Sequence, residues 1–327
     1  MAATVSTPHP RGNRIRPTSP IQCGVTEAER SSLIKDTEAR LPGTGKVRRV
    51  AAEDLVGASA RLAENRDVAA DRHGWIGAGT VDDYLDQLVP LPDGGAVQCG
   101  IRFYGLDPDR PFVDLVGVTE PVDDWQAAAQ AGLAAYAAIG PSQARLIAAG
   151  TTPPVASGFN VSVDQWIVSA SLADLAEPGA AGLEAADVDE AMAFVEARYA
   201  AFGEARPELA KDVSPAERVQ LEACRDCGRL DWWTIDGRRA GLIGVEPDAQ
   251  LGLDGLCVIE ELVAAEFLGQ RTAARAQRAI AAALIADGHD GRRALHGTID
   301  RANAASLRAA EAAGRIRVGA YWFLQPA

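Results

Sequence analysis

Hydrophobic and polar residues repeat along the chain with two periods, and each period predicts one kind of secondary structure. Alternation predicts β-strands, and spacings of three to four residues predict amphipathic helices. Strand patterns cover residues 96–104, 112–119, 143–148, 161–170, 230–236, 239–245, 255–263, 294–299 and 318–324. Helical patterns cover residues 26–41, 58–65, 81–88, 124–139, 188–202, 207–224, 272–286 and 300–314. This mixture predicts an α/β protein.

The order strand, helix, strand occurs twice, first over residues 112–148 and again over residues 255–299. The repetition favours a tandem of two similar α/β units, and two unrelated α/β halves are the alternative. A stretch rich in Ala, Gly, Glu and Pro over residues 176–186 is typical of a linker. The predicted organisation is a flexible tail with a short helix over 1–45, a first domain over 46–175 and a second over 187–327.

Composition narrows the class of protein. The chain of 327 residues is 47% hydrophobic and 24% charged, which is enough apolar material for a core. No apolar run is long enough to span a membrane and the N-terminus lacks a signal-peptide core, so a cytoplasmic location without a membrane partner is expected. The net charge of −13 argues against nucleic-acid binding, which needs a basic surface. The abundance of Ala, Arg and Gly suggests a GC-rich bacterial genome.

The five cysteines predict free thiols in a reducing compartment rather than disulfides. Cys224 and Cys227 have the spacing of metal ligands, but the sequence nearby has neither a second pair nor a histidine cluster. We therefore expect ordinary, partly buried thiols on a helix and no metal site. The first 22 residues contain three arginines and no acid, which is typical of a flexible tail.

The most informative stretch joins the strand over 255–263 to the helix over 272–286. Residues 267–286 contain Arg271, Arg275 and Arg278 and no acid, in an otherwise acidic chain. A strand, a short loop and a helix N-terminus direct free backbone N–H groups at an anion. The pattern favours a phosphorylated ligand, and a solvated basic helix face is the alternative.

The C-terminal part resembles the GNAT superfamily of N-acyltransferases. Asn303, Ser306 and Gly314 match the family's second motif, in which an Asn-x-x-Ala/Ser helix start is followed by a Gly stop. The first motif, Gln/Arg-x-x-Gly-x-Gly/Ala, is altered: Leu268 replaces the Gln or Arg, and Arg271 replaces the central Gly. The resemblance covers about residues 187–327 and implies mixed, mostly antiparallel sheets flanked by helices.

The resemblance also implies a cofactor and an activity. A GNAT domain binds acetyl-CoA or another acyl-CoA and transfers the acyl group to an amine, here a small molecule. The implied cofactor-binding residues are Leu262, Val263, Leu268, Gly269, Gln270, Arg271, Thr272, Ala273, Ala274, Asn303 and Ser306. Carboxylates and a proline occupy the equivalent junction of the first half, at residues 120–124, so that half is expected to be a non-binding copy. The protein is expected to be a monomer or homodimer.

Transfer to an amine requires a base and benefits from an acid for the leaving thiolate. Candidate bases are Glu260, Glu261 and His296; adjacent strand residues face opposite sides, so at most one glutamate faces the cleft. Glu261 is favoured because it shares a face with Val263. Many family members use a Tyr as the acid where this chain has Ala310, so Tyr321 or water is the candidate. These residues also have purely structural interpretations: a packed histidine, an aromatic core residue and a paired charge.

Two other functions remain open from the sequence. The altered loop is compatible with a non-catalytic regulatory or scaffolding protein that has lost CoA binding. Tandem architecture also occurs in aminoacyl-tRNA-dependent transferases of the Fem type, although the acidic charge weighs against that alternative.

Overall fold

The computed structural model describes residues 25–249 and 251–327, which form two compact units. The C-terminal unit comprises Gln165–Ala249 and Leu253–Val318. The N-terminal unit comprises residues 25–164, 251–252 and 319–327. The basic stretch over residues 1–22 lies outside the described residues.

The C-terminal unit is a six-stranded sheet with helices on both faces. Its elements are β5 (Phe159–Ser171, from Gln165), α5 (Leu172–Leu175), β6 (Gly182–Ala185), α6 (Val188–Ala205), α7 (Pro207–Ala210), α8 (Arg218–Cys227), β7 (Arg229–Ile235), β8 (Arg238–Asp248), β9 (Gly255–Val263), α9 (Thr272–Ala286), β10 (Ala294–Asp300) and α10 (Ala304–Ala313). The strand order is β5-β10-β9-β8-β7-β6. Within it β9 and β10 are parallel, and the other neighbours are antiparallel.

The N-terminal unit has the sheet order β1-β2-β3-β4-β11. Its elements are α1 (Glu27–Arg40), α2 (Gly45–Glu64), α3 (Arg66–Ile76), β1 (Gln87–Pro90), β2 (Ala96–Phe103), β3 (Pro111–Val118), α4 (Gln126–Ala135), β4 (Ala144–Ala149) and β11 (Ile316–Pro326, from Gly319). Strands β3 and β4 are parallel, and the other neighbours are antiparallel. Each unit thus has one parallel pair joined by a helix, and the predicted class of mixed, mostly antiparallel sheets flanked by helices is confirmed.

The two faces of the C-terminal sheet carry separate hydrophobic clusters. One packs α5 and α9 against residues such as Val258 and Val263. The other packs α6 and α8 against Cys257, Ile259 and Leu262. The distribution follows from strand alternation, and it also places Trp233 in the first cluster and Trp232 in the second, on opposite faces.

Three local predictions are wrong, because pairing and packing with distant segments override local patterns and composition. Residues 81–88 form a short 3₁₀ turn, Val81–Tyr84, followed by β1, which pairs with β2. The predicted helix over 207–224 breaks between α7 and α8, at residues 211–217. The presumed linker over 176–186 contains β6, whose backbone pairs with β7.

The two compact units begin and end at residues that differ from the predicted domain boundaries, 46–175 and 187–327. Those domain boundaries stay a prediction. The end of β5 pairs with β10 in the C-terminal unit. The last strand, from Gly319 to Leu324, pairs with β4 in the N-terminal unit. Each sheet therefore contains a strand that is remote in sequence from its neighbours.

Candidate active site

The two parallel strands of the C-terminal unit, β9 and β10, stop pairing partway along their length. Their pairing covers only Gly255–Cys257 of β9 and Ala294–His296 of β10. Beyond it β9 continues to Val263 and β10 to Asp300, and α9 and α10 follow. We call the gap between the carboxyl halves of these strands the β9–β10 opening. The carboxyl ends of parallel strands are where α/β sheets bind ligands.

A β-bulge shapes β9 at this opening. Val258 pairs with Val245 and Glu260 pairs with Gly244, so Ile259 is an extra residue. A bulge lets two consecutive side chains occupy one face. Ile259 and Glu260 accordingly both face the side of α6 and α8, where Ile259 joins that cluster and Glu260 meets Ala216.

Glu260 is buried beside the irregular segment 211–217, with an exposed fraction of 1%. One carboxylate oxygen accepts a 2.9 Å hydrogen bond from the backbone N–H of Ala216, and the other accepts one of 3.1 Å from Glu261 N. Burial raises the pKa of Glu260 to about 8, although these bonds and one from Tyr199 oppose the rise. A carboxyl group with this pKa exchanges its proton close to neutral pH.

Glu261 faces the opposite side, towards α9, as strand alternation predicted for this pair. The side-chain amide of Gln277 donates to its two oxygens at 2.8 and 3.1 Å. Burial raises the pKa of Glu261 to about 7, and the charge of Arg315 opposes part of the rise. The body of α9 therefore covers Glu261, whereas a non-helical segment covers Glu260.

The loop before α9 has the backbone shape of an anion site. Gly269 and Arg271 have positive φ of 78° and 57°, and Arg271 is the N-cap without a side-chain capping bond. Thr272 is buried at the first helical position, and its hydroxyl has no partner among the described residues. Arg271 thus keeps the left-handed conformation that a glycine adopts most readily.

The other predicted cofactor residues of this segment have mixed environments. Leu268 is 45% exposed, and the Gln270 amide donates to Glu266 O at 2.9 Å, which ties the loop to itself. Four are buried in the hydrophobic clusters: Leu262, Val263, Ala273 and Ala274. These four can offer a ligand only their main chain.

Two of the three arginines expected at the phosphate site have other roles. Arg275 donates to Ala180 O at 2.7 Å. Arg278 pairs with Glu177 at 2.9 Å and donates to Ala312 O at the end of α10. Arg271 is exposed and makes no side-chain hydrogen bond or ion pair with the described residues. Only Arg271 is placed as the sequence pattern suggested.

The second motif has the predicted geometry. Asn303 caps α10, its side-chain oxygen accepting from Ser306 N at 3.2 Å. Gly314 ends the helix in the left-handed conformation, with φ of 114°. Ala310, where the family has its tyrosine, is fully buried against Val168 and Ile299.

His296 pairs at a different part of the strands from the two glutamates, and Tyr321 belongs to the other unit. His296 belongs to the segment of β10 that is still paired with β9, and it is fully buried next to Asp248 and Cys257. Tyr321 belongs to the N-terminal unit, where it pairs with Ile147 and its ring lies 4.8 Å from the Arg145 guanidinium carbon. The C-terminal unit thus brings Glu260, Glu261, the loop and Asn303 to the carboxyl ends of its parallel strands, without these two residues.

Three residues of the site were not predicted: Tyr199, Gln277 and Arg315. Gln277 had a signal, because it is a polar residue within the apolar stripe of α9. Arg315 follows the Gly314 stop and is 2% exposed, with Nε and Nη1 unpaired among the described residues. Its burial depends on long-range packing that no local pattern reveals.

Known structures provide a comparison. No family model and no curated protein matches this sequence. The chain is similar to GNAT acetyltransferases of known structure. One from Colwellia psychrerythraea is 13% identical, with a TM-score of 0.45, over 71% of this chain and 81% of its own. A GCN5-related N-acetyltransferase from Sphaerobacter thermophilus is 14% identical, with a TM-score of 0.43, over 81% and 89%.

A GCN5-related N-acetyltransferase from Kribbella flavida is 15% identical, with a TM-score of 0.42, over 80% of this chain and 95% of its own. Among the described residues, no helix is both long and apolar enough to cross a bilayer.

Proposed function

We propose that the C-terminal unit is an acyl-CoA-dependent N-acyltransferase, with acetyl-CoA as donor and a small-molecule amine as acceptor. The observation that carries the proposal is the β9–β10 opening, which ends at the N-terminus of α9. An extended thioester arm needs a slot that exposes strand backbone, and its diphosphate needs an anion site at one end. The β9–β10 opening and the N-terminus of α9 support both assignments.

The diphosphate is assigned to the loop and the first turn of α9. The first N–H groups of a helix lack intrahelical partners and carry the positive end of its dipole. Gly269 and the left-handed backbone at Arg271 let the chain turn towards the ligand. The Arg271 guanidinium adds a full charge suited to phosphate oxygens. The main chain of Leu262 and Val263 is assigned to the arm of the cofactor.

Glu260 is the proposed general base. It faces the non-helical segment 211–217, whereas Glu261 lies beneath α9 and is held by Gln277. The structure thus leads us to place Glu260 ahead of Glu261, which the sequence favoured. A general base works best with a pKa near the working pH, and that of Glu260 is about 8.

The reaction forms a C–N bond and breaks the C–S bond. The neutral amine attacks the thioester carbonyl, Glu260 takes the proton that its nitrogen loses, and the electron pair of the C–S bond leaves with sulfur. Because an alkyl thiol has a pKa of roughly 8.5, the thiolate is a good leaving group, and we assign its protonation to solvent.

Calorimetric titration with acetyl-CoA, with free CoA as the comparison ligand, tests the proposal. The wild type should bind both, and Arg271→Glu should weaken binding by about tenfold or more, since it replaces an attraction with a repulsion. Arg292→Glu is the matched control. It makes the same charge change at an exposed residue just before β10. That residue is at the amino end of β10, whereas the β9–β10 opening is at the carboxyl end.

Equal binding by the wild type and Arg271→Glu would remove the phosphate assignment. Absence of binding for every acyl-CoA tested would refute the acyltransferase proposal and leave a non-catalytic protein as the better interpretation. Where binding is found, a panel of amines assayed for release of free thiol identifies the acceptor.

A further inference from the structure

Side chains of the types that bind metal ions form a row across the C-terminal sheet, away from the β9–β10 opening. In register, Glu246 of β8 lies opposite Cys257 of β9, which lies opposite His296 of β10. Asp248 follows Glu246 by two residues and therefore shares its face. That face is the one covered by α6 and α8, because Cys257 belongs to their cluster.

The side chains of this row converge. One ligand atom each from Asp248, Cys257 and His296 lies within 4.8 Å of the others. His296 is fully buried and Cys257 is 8% exposed. The Nε2 atom of His296 is 3.4 Å from Asp248 O, and Nδ1 has no partner among the described residues. A buried ring nitrogen without a partner is costly unless something binds it.

The N-terminal unit has different residues at the position equivalent to Cys257 and His296, the last registered pair of its parallel strands. Its parallel strands also end their pairing on a registered pair, Asp114 and Arg145. The Arg145 guanidinium lies 3.0 Å from Asp114 and 3.3 Å from Asp164, so a cation neutralises two carboxylates there. The C-terminal unit has a thiol and an imidazole at this position, next to two carboxylates.

We propose that Asp248, Cys257 and His296 bind a divalent metal ion of the zinc class, with Glu246 or water as the fourth ligand. Thiolate, imidazole and carboxylate are the three donor types of zinc sites, and four-coordinate geometry is usual. If Nε2–H donates to Asp248 O, Nδ1 holds the lone pair for the metal. A ligating histidine typically makes such a bond with its other nitrogen.

The metal site is separate from the proposed acyltransferase site. Cys257 precedes Glu260 by three residues, or about 10 Å along a strand. The ion would join β8, β9 and β10 where β8 ends and the other two begin. We infer a stabilising role for it, independent of whether the opening binds acyl-CoA.

Metal titration of the chelator-stripped full chain tests the site. Zn²⁺ is measured against a chromophoric chelator, and Co²⁺ reports a thiolate ligand through its charge-transfer absorption. We expect one equivalent per chain with the thiolate band in the wild type. Cys257→Ser should lose the band and more than about tenfold in affinity. His296→Gln should lose a similar factor, and Tm should rise with metal only in the wild type.

The rival thiols provide the control. Cys224→Ser and Cys227→Ser remove the pair with metal-like spacing and should leave binding unchanged. If they abolish it while Cys257→Ser binds normally, the metal belongs to that pair and the proposal is wrong. A wild type that binds no stoichiometric metal is equally decisive against it. Should Cys257→Ser not fold, Asp248→Asn, which changes a half-exposed side chain, must weaken binding for the proposal to stand.

Discussion

The two pairs of parallel strands, β3 with β4 and β9 with β10, have a similar backbone arrangement but different surrounding side chains. In the N-terminal unit Gln98 pairs with Gly117 and Cys99 with Leu115, so Val116 is extra in β3 just as Ile259 is extra in β9. The register thereby equates Gly117 and Val118 with Glu260 and Glu261. Both carboxylates of the candidate site are absent from their equivalent positions in the other unit.

The gap between β3 and β4 is filled by side chains of α1. Arg40 donates to Val116 O on β3 and, at 2.9 Å, to Ile147 O on β4. Thr37 also donates to Val116 O, and Asp36 accepts from Val118 N at 3.2 Å. The backbone groups that a ligand would need are therefore already bonded within the unit.

The N-termini of α4 and α9 also differ in whether groups of the same unit already bond their backbone. At α4 the Asp124 carboxylate accepts 2.9 Å bonds from Gln126 N and from Ser157 N, so an internal anion occupies the position. At α9 the N-cap is Arg271, without a side-chain capping bond. Side chains from other segments therefore determine which backbone groups of a strand–helix–strand unit are left for a ligand. This difference supports the expectation that the N-terminal unit does not bind CoA.

The largest expected effect is on the chemistry of the C-terminal unit. Glu260→Gln preserves shape but removes the proposed base, so kcat should fall by about 10²–10⁴-fold. Thiol release is measured with acetyl-CoA and an acceptor from the amine panel. Glu204→Gln, an exposed residue of α6, is the control. If Glu261→Gln loses this activity and Glu260→Gln keeps it, the roles of the two residues are reversed.

The next largest effect is expected when Arg40, which bridges β3 and β4 of the N-terminal unit by hydrogen bonds, is replaced. Arg40→Ala leaves the Ile147 carbonyl without this donor, Val116 O with only Thr37, and Asp36 without its ion-pair partner. The free energy of unfolding should therefore fall by about 3 kcal/mol. Urea denaturation measures it. Arg49→Ala, at a more exposed arginine with two ion pairs, should cost less than about 1 kcal/mol. A comparable loss in both variants would show that Arg40 is no more than a surface charge.

The buried glutamates should make stability depend on pH. Their folded pKa values of about 8 and 7 lie above the usual 4.5, so the folded protein holds more protons than the unfolded chain between these values. Stability from this source is complete below the unfolded pKa and is lost as pH rises through the folded pKa values. Because a difference of one pKa unit is worth about 1.4 kcal/mol, the loss should amount to several kcal/mol.

Urea denaturation across this pH range compares the wild type with the Glu260→Gln and Glu261→Gln double variant. The double variant should show a flatter dependence, and Glu266→Gln, at an exposed loop residue, should not. Parallel curves for the wild type and the double variant would mean that neither carboxyl group titrates abnormally.

The smallest effect concerns the loop itself. Arg271→Gly removes the strain of a left-handed non-glycine residue, and stability should rise by roughly 0.5–1 kcal/mol. Affinity for acetyl-CoA should fall at the same time, because the charge is gone. Thermal unfolding and calorimetry measure the two changes, and Arg271→Ala is the control that removes the charge but keeps the strain. A destabilised Arg271→Gly would indicate that the side chain, rather than the backbone, holds the loop.

Local patterns in the sequence were sufficient for β9, α9, β10 and α10 of the C-terminal unit. Alternation located β9 and β10, helical spacing located α9, and Asn303 and Gly314 marked the ends of α10. Such signals involve neighbours within about four residues, where backbone preference and burial of one face act together. The opposite facing of Glu260 and Glu261 followed from the same local geometry.

The tertiary structure alone decided what these elements do. Which strands pair, and where a bulge falls, depends on contacts between segments far apart in the chain, as with β11 joining β4. The same holds for the Arg40 bridge and for the convergence of Asp248, Cys257 and His296. Nothing near these residues in sequence encodes their partners, because the energy that selects them is the burial and pairing of polar groups within a folded sheet.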